Sequence, residues 1–570
     1  MKKLITLLSV LSVFNLFSQD YPQDYFRSPL DIPLYLSGNF GELRSNHFHA
    51  GLDIKTEGVE GKNVYAAAEG YVYRIKIQEY GYGKVLYIRH PNGYSTTYAH
   101  LKEFSPTIEA YVKKKQYEKE SYTIELYPSP NELKVEKGDI IALSGNTGGS
   151  GGPHLHFEIR DVKNDHALNP LLFNLPVKDE IAPTIYGIKI YPLSPDAYLG
   201  SKPKPQYFRA RGANGVYQLN FQDTIRVHGK IGIGIDLNDF LNGSHNKCGI
   251  YSIELKVGDT LIHQQVMDCI PFDKSRFINA HTDFEAKKND NKWIQKCYVE
   301  PYNELPIYEV SIGQGIVSFY EEKEIPVEII VKDSYKNESR IQFQLKSKRN
   351  AIEFQPEPKE FVVDTFDIEK ANHFEANNVK IDFPAYSFYN PINFEYRVKS
   401  NDGKAYSDYH VVHKEDVPCH QHFTIQIKPD SIPKGKEHQL IMASLSPYGH
   451  FISEGGSFNG EYVQAKSRTF GTFFVYLDSL PPIVRPLNIT EGKNISRQSS
   501  IRFRIEDNFS GINSYKALVD GKWILMEYDY KKKLLFHNLD DKIGPGKHQL
   551  VLTVLDGKGN KTTYTVNFER

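Results

Sequence analysis

Two histidines one residue apart, His154 and His156, follow a glycine-rich run from Ser144 to Gly152 and open the segment Pro153-His154-Leu155-His156-Phe157-Glu158. In an extended strand alternate residues share a face, so His154, His156 and Glu158 project together while Leu155, Phe157 and Ile159 turn to the core. Upstream lies His49-Ala50-Gly51-Leu52-Asp53, preceded by Gly41-Glu42-Leu43-Arg44, and between these segments stands Tyr98-Ala99-His100-Leu101. Catalytic zinc takes three nitrogen or oxygen ligands from the protein and keeps a fourth position open. His49, Asp53 and one of the two strand histidines fill that set. Zinc so held lowers the pKa of a bound water towards ~7 and polarises a carbonyl. The remaining strand histidine and His100 would then serve as general base and as stabiliser of a tetrahedral intermediate.

Each motif alone has a plainer reading. An H-x-H pair in a strand is more often structural or solvent-facing, H-x-x-x-D is commonplace, and a single His100 reads as a packed or surface residue. The glycine run lacks the Lys-Ser/Thr that would make it a phosphate loop. The signal is their joint occurrence, in order, between His49 and Glu158.

These residues need a rigid frame, and the flanking sequence describes one. Val85 to His90 and Tyr94 to Leu101 flank Pro91-Asn92-Gly93, and Asn-Gly between apolar strands marks a hairpin. Gly81-Tyr82-Gly83-Lys84 leads into it, and Lys137-Gly138-Asp139 precedes the glycine run. Between Leu101 and Lys137, Ser105-Pro106 can start a helix, with Ile108, Tyr111 and Val112 at helical spacing. Tyr122 to Tyr127 reads as a strand. This stretch is either surface decoration, with Lys113-Lys114-Lys115 solvated, or a raised groove wall that restricts substrates.

Taken together, the motifs resemble the lysostaphin/LytM-type (β-lytic) zinc metallopeptidases. The resemblance runs from about Gly38 to Pro170. It rests on His49-x-Gly51-x-Asp53, Val64-x-Ala66-x-x-x-Gly70-x-Val72, Gly81-Tyr82-Gly83, Tyr98-Ala99-His100-Leu101, Lys137-Gly138-Asp139 and Gly152-Pro153-His154-Leu155-His156-Phe157-Glu158. It implies a compact, mostly antiparallel β domain with a substrate groove over a Zn2+ held by His49, Asp53 and His156. His100 and His154 become the catalytic histidines, Glu158 a supporting residue, and the peptide stems and cross-links of peptidoglycan the substrate. The region between Leu101 and Lys137, where such enzymes have a short linker, is an insertion at about 102–134. Some relatives have lost their ligands and act as activators of other wall hydrolases, whereas here all five positions are filled. An HExxH metalloprotease is excluded, because that string is absent.

The rest of the chain has a different texture. Its 570 residues predict several domains, and 38 Tyr and 33 Phe beside four Met point to an all-β dominated architecture. Alternation at Ile225, Val227, Ile231, Ile233, Ile235 and Leu237 describes a half-buried strand. A weak repeat aligns Asp179-x-x-x-Pro183-x-Ile185 with Asp478-x-x-x-Pro482-x-Val484, and Val331-x-Asp333-x-x-x-Asn337 with Val554-x-Asp556-x-x-x-Asn560. The predicted order is a signal peptide at 1–19 and a peptidase domain at 20–177. An immunoglobulin-like β domain with insertions follows at 178–350, then a β-rich domain of no assigned type at 351–477 and a second immunoglobulin-like domain at 478–570. The β modules would bind, space or orient the peptidase.

Met1-Lys2-Lys3 and the apolar run Leu4 to Phe17 read as an export signal, with the periplasm or cell envelope as destination. No later segment is long and apolar enough to span a membrane. With 69 Lys+Arg against 70 Asp+Glu the net charge is −1, giving no field for nucleic acid. An exported chain can form disulfides, and one bridge among Cys248, Cys269 and Cys297 is expected. Two other functions fit the same architecture, a non-catalytic envelope scaffold or activator and a zinc peptidase acting on glycine-rich proteins. A chelatable metal separates the scaffold from both enzymes.

Overall fold

A computed structural model describes residues 21–220, 224–347 and 361–570; the expected export signal falls outside the described residues. The architecture is almost wholly β, and among the described residues Pro106–Lys119 is the one helix longer than seven residues. No described helix is long and apolar enough to cross a membrane.

The first sheet is antiparallel and carries the histidine motifs. Across it the strands run Leu36–Gly38, Leu52–Lys55, His154–Asp161, Tyr94–Ala99, Lys84–Arg89, Gly70–Ile77 and Ile124–Leu126. Leu155, Phe157 and Ile159 are fully buried with Leu52, Ile54, Leu86, Ile88 and Tyr98, so the apolar face of the His154–Asp161 strand anchors the opposite, polar face. The expected hairpin pairs Arg89 with Ser95 and Leu86 with Tyr98, and Gly93 at its tip adopts a left-handed φ of +87°. A small sheet of Asn63–Tyr65, Ile140–Leu143 and Glu103–Phe104 adjoins it.

The stretch after Leu101 forms the expected helix and strand. Pro106 occupies the first turn, where a missing N–H costs nothing, and Ile108 and Val112 are buried in the core of the first domain. The strand Ile124–Leu126 pairs with the edge of the sheet far from His156. The outer face of the helix meets the last domain. Tyr117 packs edge-on against Trp523 with centroids 5.1 Å apart, and Lys113 pairs with Asp540 at 2.6 Å. This lysine of the expected solvated run therefore belongs to an interface.

Between residues 184 and 347 the long strand Thr224–Asn238 joins two arrangements. Its second half pairs antiparallel with Thr184–Pro192, while its first residues pair in parallel with Glu338–Ser347. The inserted segment, with its short helices Ile278–His281 and Phe284–Asp290, packs Met267, Phe277 and Ile278 against Phe40 and Phe48 of the first domain. Residues 361–477 form a six-stranded and a five-stranded sheet over an aromatic core, and residues 483–569 a four-stranded and a five-stranded pair. The expected disulfide does not form: all four cysteines are free, with Cys248 in the core of the first domain, Cys269 packed against that same core and Cys297 in the core of the next domain.

Candidate metal and catalytic site

Strand register brings the motifs together. His156 stands directly opposite Asp53 on one side and Ala99 on the other, so the H-x-x-x-D and H-x-H motifs become cross-strand neighbours. Close approach of the two strands needs Gly51, where a Cβ would overlap the Phe157 carbonyl. His49, Asp53 and His156 are all buried. Their donor atoms converge: His49 Nε2 lies 3.0 Å from His156 Nδ1 and 3.0 Å from Asp53 Oδ1, and His156 Nδ1 lies 2.8 Å from Asp53 Oδ1.

The hydrogen bonds behind this triangle fix what it presents. His49 Nδ1 faces the Asn39 carbonyl at 2.8 Å, and His156 Nε2 faces Glu158 Oε1 at 2.7 Å. Both partners only accept, so each imidazole donates there and turns the lone pair of its other nitrogen into the site. Two lone pairs and a carboxylate oxygen about 3 Å apart repel one another unless a cation lies between them. Tetrahedral ligands at about 2.0–2.1 Å from zinc stand about 3.3 Å from each other. The residues present therefore fit the metal that the sequence resemblance implies.

Arg44, Glu158, Tyr82 and Arg160 brace Asp53 and His156. The second oxygen of Asp53 takes Arg44 Nη2 at 2.5 Å, leaving only Oδ1 for the site. Glu158, fully buried, also accepts from Tyr82 Oη at 2.5 Å and from Arg160 Nε at 2.6 Å. Burial alone would raise the Glu158 pKa, but Arg160, His156 and Tyr82 bring it down to about 2. Burial alone would likewise lower His156, whereas its bonds to Asp53 and Glu158 lift it to about 9, so a proton and a cation compete for the same position. At His49 burial prevails over Asp53, giving about 4.

The other two histidines stand at the rim. His154 Nδ1 lies 2.9 Å from the Gly152 carbonyl and 3.1 Å from Ser150 Oγ, and its Nε2 points to Asp53 Oδ1 at 3.4 Å. His100 ends its strand with a left-handed φ of +59°, a costly conformation for a residue with a side chain. This turn aims the ring at the site, 4.7 Å from that of His154, with Nδ1 2.8 Å from the Thr147 carbonyl. Burial and the two neighbouring imidazoles lower the His100 pKa to about 3. All five residues selected from the sequence thus meet in one place. Asn39, Arg44, Tyr82 and Arg160 were not selected; Arg44 and Tyr82 lie within quoted motifs, but nothing in their type or spacing marked their roles.

The antiparallel sheet presents a His-Asp-His cluster beside two further histidines, as the resemblance to LytM/lysostaphin-type peptidases implies. Residues 47–117 and 129–170 match Peptidase family M23, so this part of the chain is an M23 peptidase domain. Residues 363–478 match a Zu5-like domain. The chain is 37% identical over 169 residues to an uncharacterized metalloprotease of Haemophilus influenzae, covering 29% of this chain and 30% of that protein. It is 34% identical over 137 residues to the DD-carboxypeptidase/endopeptidase Mpg of Neisseria meningitidis, covering 24% and 25%. It is 30% identical over 161 residues to the peptidoglycan DD-endopeptidase ShyA of Vibrio cholerae, covering 27% and 31%. The matched region thus spans less than a third of each relative's length.

Proposed function

We propose that this chain is an exported zinc metalloendopeptidase that hydrolyses peptide cross-links of bacterial peptidoglycan, working in the periplasm or cell envelope. The observation that carries the reading is the convergence of the His49 and His156 lone pairs on Asp53 Oδ1. The substrate class rests on the peptidoglycan and DD-peptidase names of the relatives, and export on the amino-terminal apolar run.

His49, Asp53 and His156 would hold the zinc, which when bound supplies Lewis acidity to a scissile carbonyl and acidity to a water. Proton traffic falls to His154 and His100. The Gly152 and Thr147 carbonyls keep each ring's proton on Nδ1, so both histidines turn an Nε2 lone pair into the site. Either ring can take a proton at Nε2 and, once charged, donate to an oxygen developing negative charge. Ser150 and the glycine run fix the His154 ring, and the left-handed backbone fixes His100.

Metal content and hydrolysis of a cross-linked muropeptide dimer, measured together on histidine variants, test the assignment. His156→Ala is expected to lose both metal and turnover. His154→Ala is expected to keep the metal and lose turnover by about 10²–10⁴-fold. Turnover that survives both substitutions contradicts the reading.

A further inference from the structure

Away from the histidines, two sets of three aspartates are gathered at matching places in the two repeated β domains. Asp179, Asp239 and Asp333 each place a carboxylate oxygen within 4.8 Å of the others, as do Asp478, Asp507 and Asp556. In both sets the first member lies in the linker entering the domain, before Thr184 or Ile483. The second follows the strand that pairs with that entry strand, Thr224–Asn238 or Ser500–Glu506. The third lies at the end of a later strand, just after Glu324–Lys332 or as the last residue of Lys547–Asp556, and starts a D-x-x-x-N turn. There Asn337 Nδ2 donates to the Asp179 carbonyl and to Asp333 Oδ2, and Asn560 Nδ2 donates to the Asp478 carbonyl and to Asp556 Oδ2.

The carboxylates are over-supplied with charge and under-supplied with partners. Asp239 is 1% exposed and Asp478 is 1% exposed, yet Asp239 Oδ1 and Asp478 Oδ1 have no hydrogen-bond partner, nor has Asp507 Oδ1. Among the described residues no Lys, Arg or His forms an ion pair with any member of the first set. A buried carboxylate without a partner either takes up a proton or meets a cation, because its charge alone is expensive to bury. Burial first, then the two facing carboxylates, hold Asp239 far above the usual carboxylate range. A hard divalent cation with all-oxygen coordination removes that cost.

We propose that each aspartate set is a calcium site that fixes a domain junction, the first between the peptidase and the following β domain, the second between residues 361–477 and the last domain. The sites differ in strength. Lys558 stands where the first repeat has Tyr335, and its half-buried chain donates to the Gly456 carbonyl at 3.1 Å beside the second set. This added positive charge makes the second site the weaker. The first site also connects to the peptidase centre through main-chain pairing and the Asn39 side chain. Asp239 pairs with Cys248, Gly249 N donates to Asn39 Oδ1, and the Asn39 carbonyl holds His49.

The test is calorimetric titration of the full, zinc-loaded chain with calcium chloride, alongside Asp239→Asn and Asp507→Asn. Asn keeps the shape and removes one charge, so without calcium Asp239→Asn is expected to melt at least as high as wild type. Wild type is expected to bind two calcium ions, with Asp239→Asn losing the tighter and Asp507→Asn the weaker. Calcium is expected to raise the melting temperature of wild type more than that of either variant. A wild type that takes up no calcium at about 10 mM, beyond the range of extracellular modules, or variants that bind as many ions as wild type, would overturn the proposal.

Discussion

Glu158 is the residue through which the candidate metal site is held in shape, because one carboxylate orients His156, binds Tyr82 and neutralises Arg160. Partners that orient a metal-bound histidine typically account for 10–100-fold in metal affinity. Glu158→Gln is therefore expected to weaken zinc binding by about that factor in a competition titration with a chromogenic chelator. The same residue predicts a pH effect. Its folded pKa, about 2, lies below the ordinary carboxylate value. Its stabilisation is therefore fully present above about pH 4.5 and lost as pH falls towards 2. Melting temperatures of wild type and Glu158→Gln should converge as the solution is acidified through that window; a constant gap contradicts the assignment. His49, Asp53, His100, His154 and His156 were legible in the sequence because their types and spacing already name a chemistry. Arg44 and Asn39 were not, since Arg44 acts by occupying Asp53 Oδ2 and Asn39 by fixing a tautomer. Neither role leaves a pattern in the sequence.

At the scale of elements, the strand carrying His154 and His156 was readable because alternation separates its two faces, and its buried side is as expected. The contact between that strand and the His49 loop depends on Gly51, where an added methyl would meet rigid backbone. Gly51→Ala should cost at least the 1–3 kcal/mol usual for overpacking and reduce metal occupancy, read by denaturant unfolding and metal analysis. The insertion illustrates what sequence leaves out. Ser105-Pro106 and the apolar spacing announced its helix, but the partner of its outer face, Trp523, lies more than 400 residues away. The insertion also lines a cleft of about 520 Å³ together with Asn146–Gly148 and Glu527–Tyr530. It is thus both the platform for the last domain and one wall of a cleft beside the Thr147 carbonyl that holds His100.

The whole molecule folds its last domain back onto the peptidase. Lys84, buried, pairs with Glu527 at 2.8 Å, Tyr515 reaches Glu79, Tyr80 packs on Tyr530, and Lys531 Nζ donates to the Ser150 carbonyl at 3.0 Å. Glu527→Gln leaves the Lys84 ammonium buried without its carboxylate. Loss of one partner of a buried pair costs about 3–5 kcal/mol, so this variant should show weakened docking as faster proteolysis between residues 477 and 483. Deleting residues 478–570 should preserve zinc binding but loosen the glycine run behind His154 and lower turnover, measured on a muropeptide dimer. Residues 20–178 alone would bare Phe40 and Phe48, which pack against Phe277 and Ile278 of the next domain, and should be less soluble than the full chain. The β-rich character of the later domains was legible from alternation and turn residues. Their return to the peptidase was not, because long-range docking leaves no periodicity. The most direct test of the account is digestion of purified sacculi by the full chain, with and without a chelator, read by mass spectrometry of the released muropeptides. Chelator-sensitive loss of cross-linked dimers, restored by zinc, is the expected result. Intact cross-links after incubation with zinc-loaded protein, or digestion indifferent to the chelator, would contradict it.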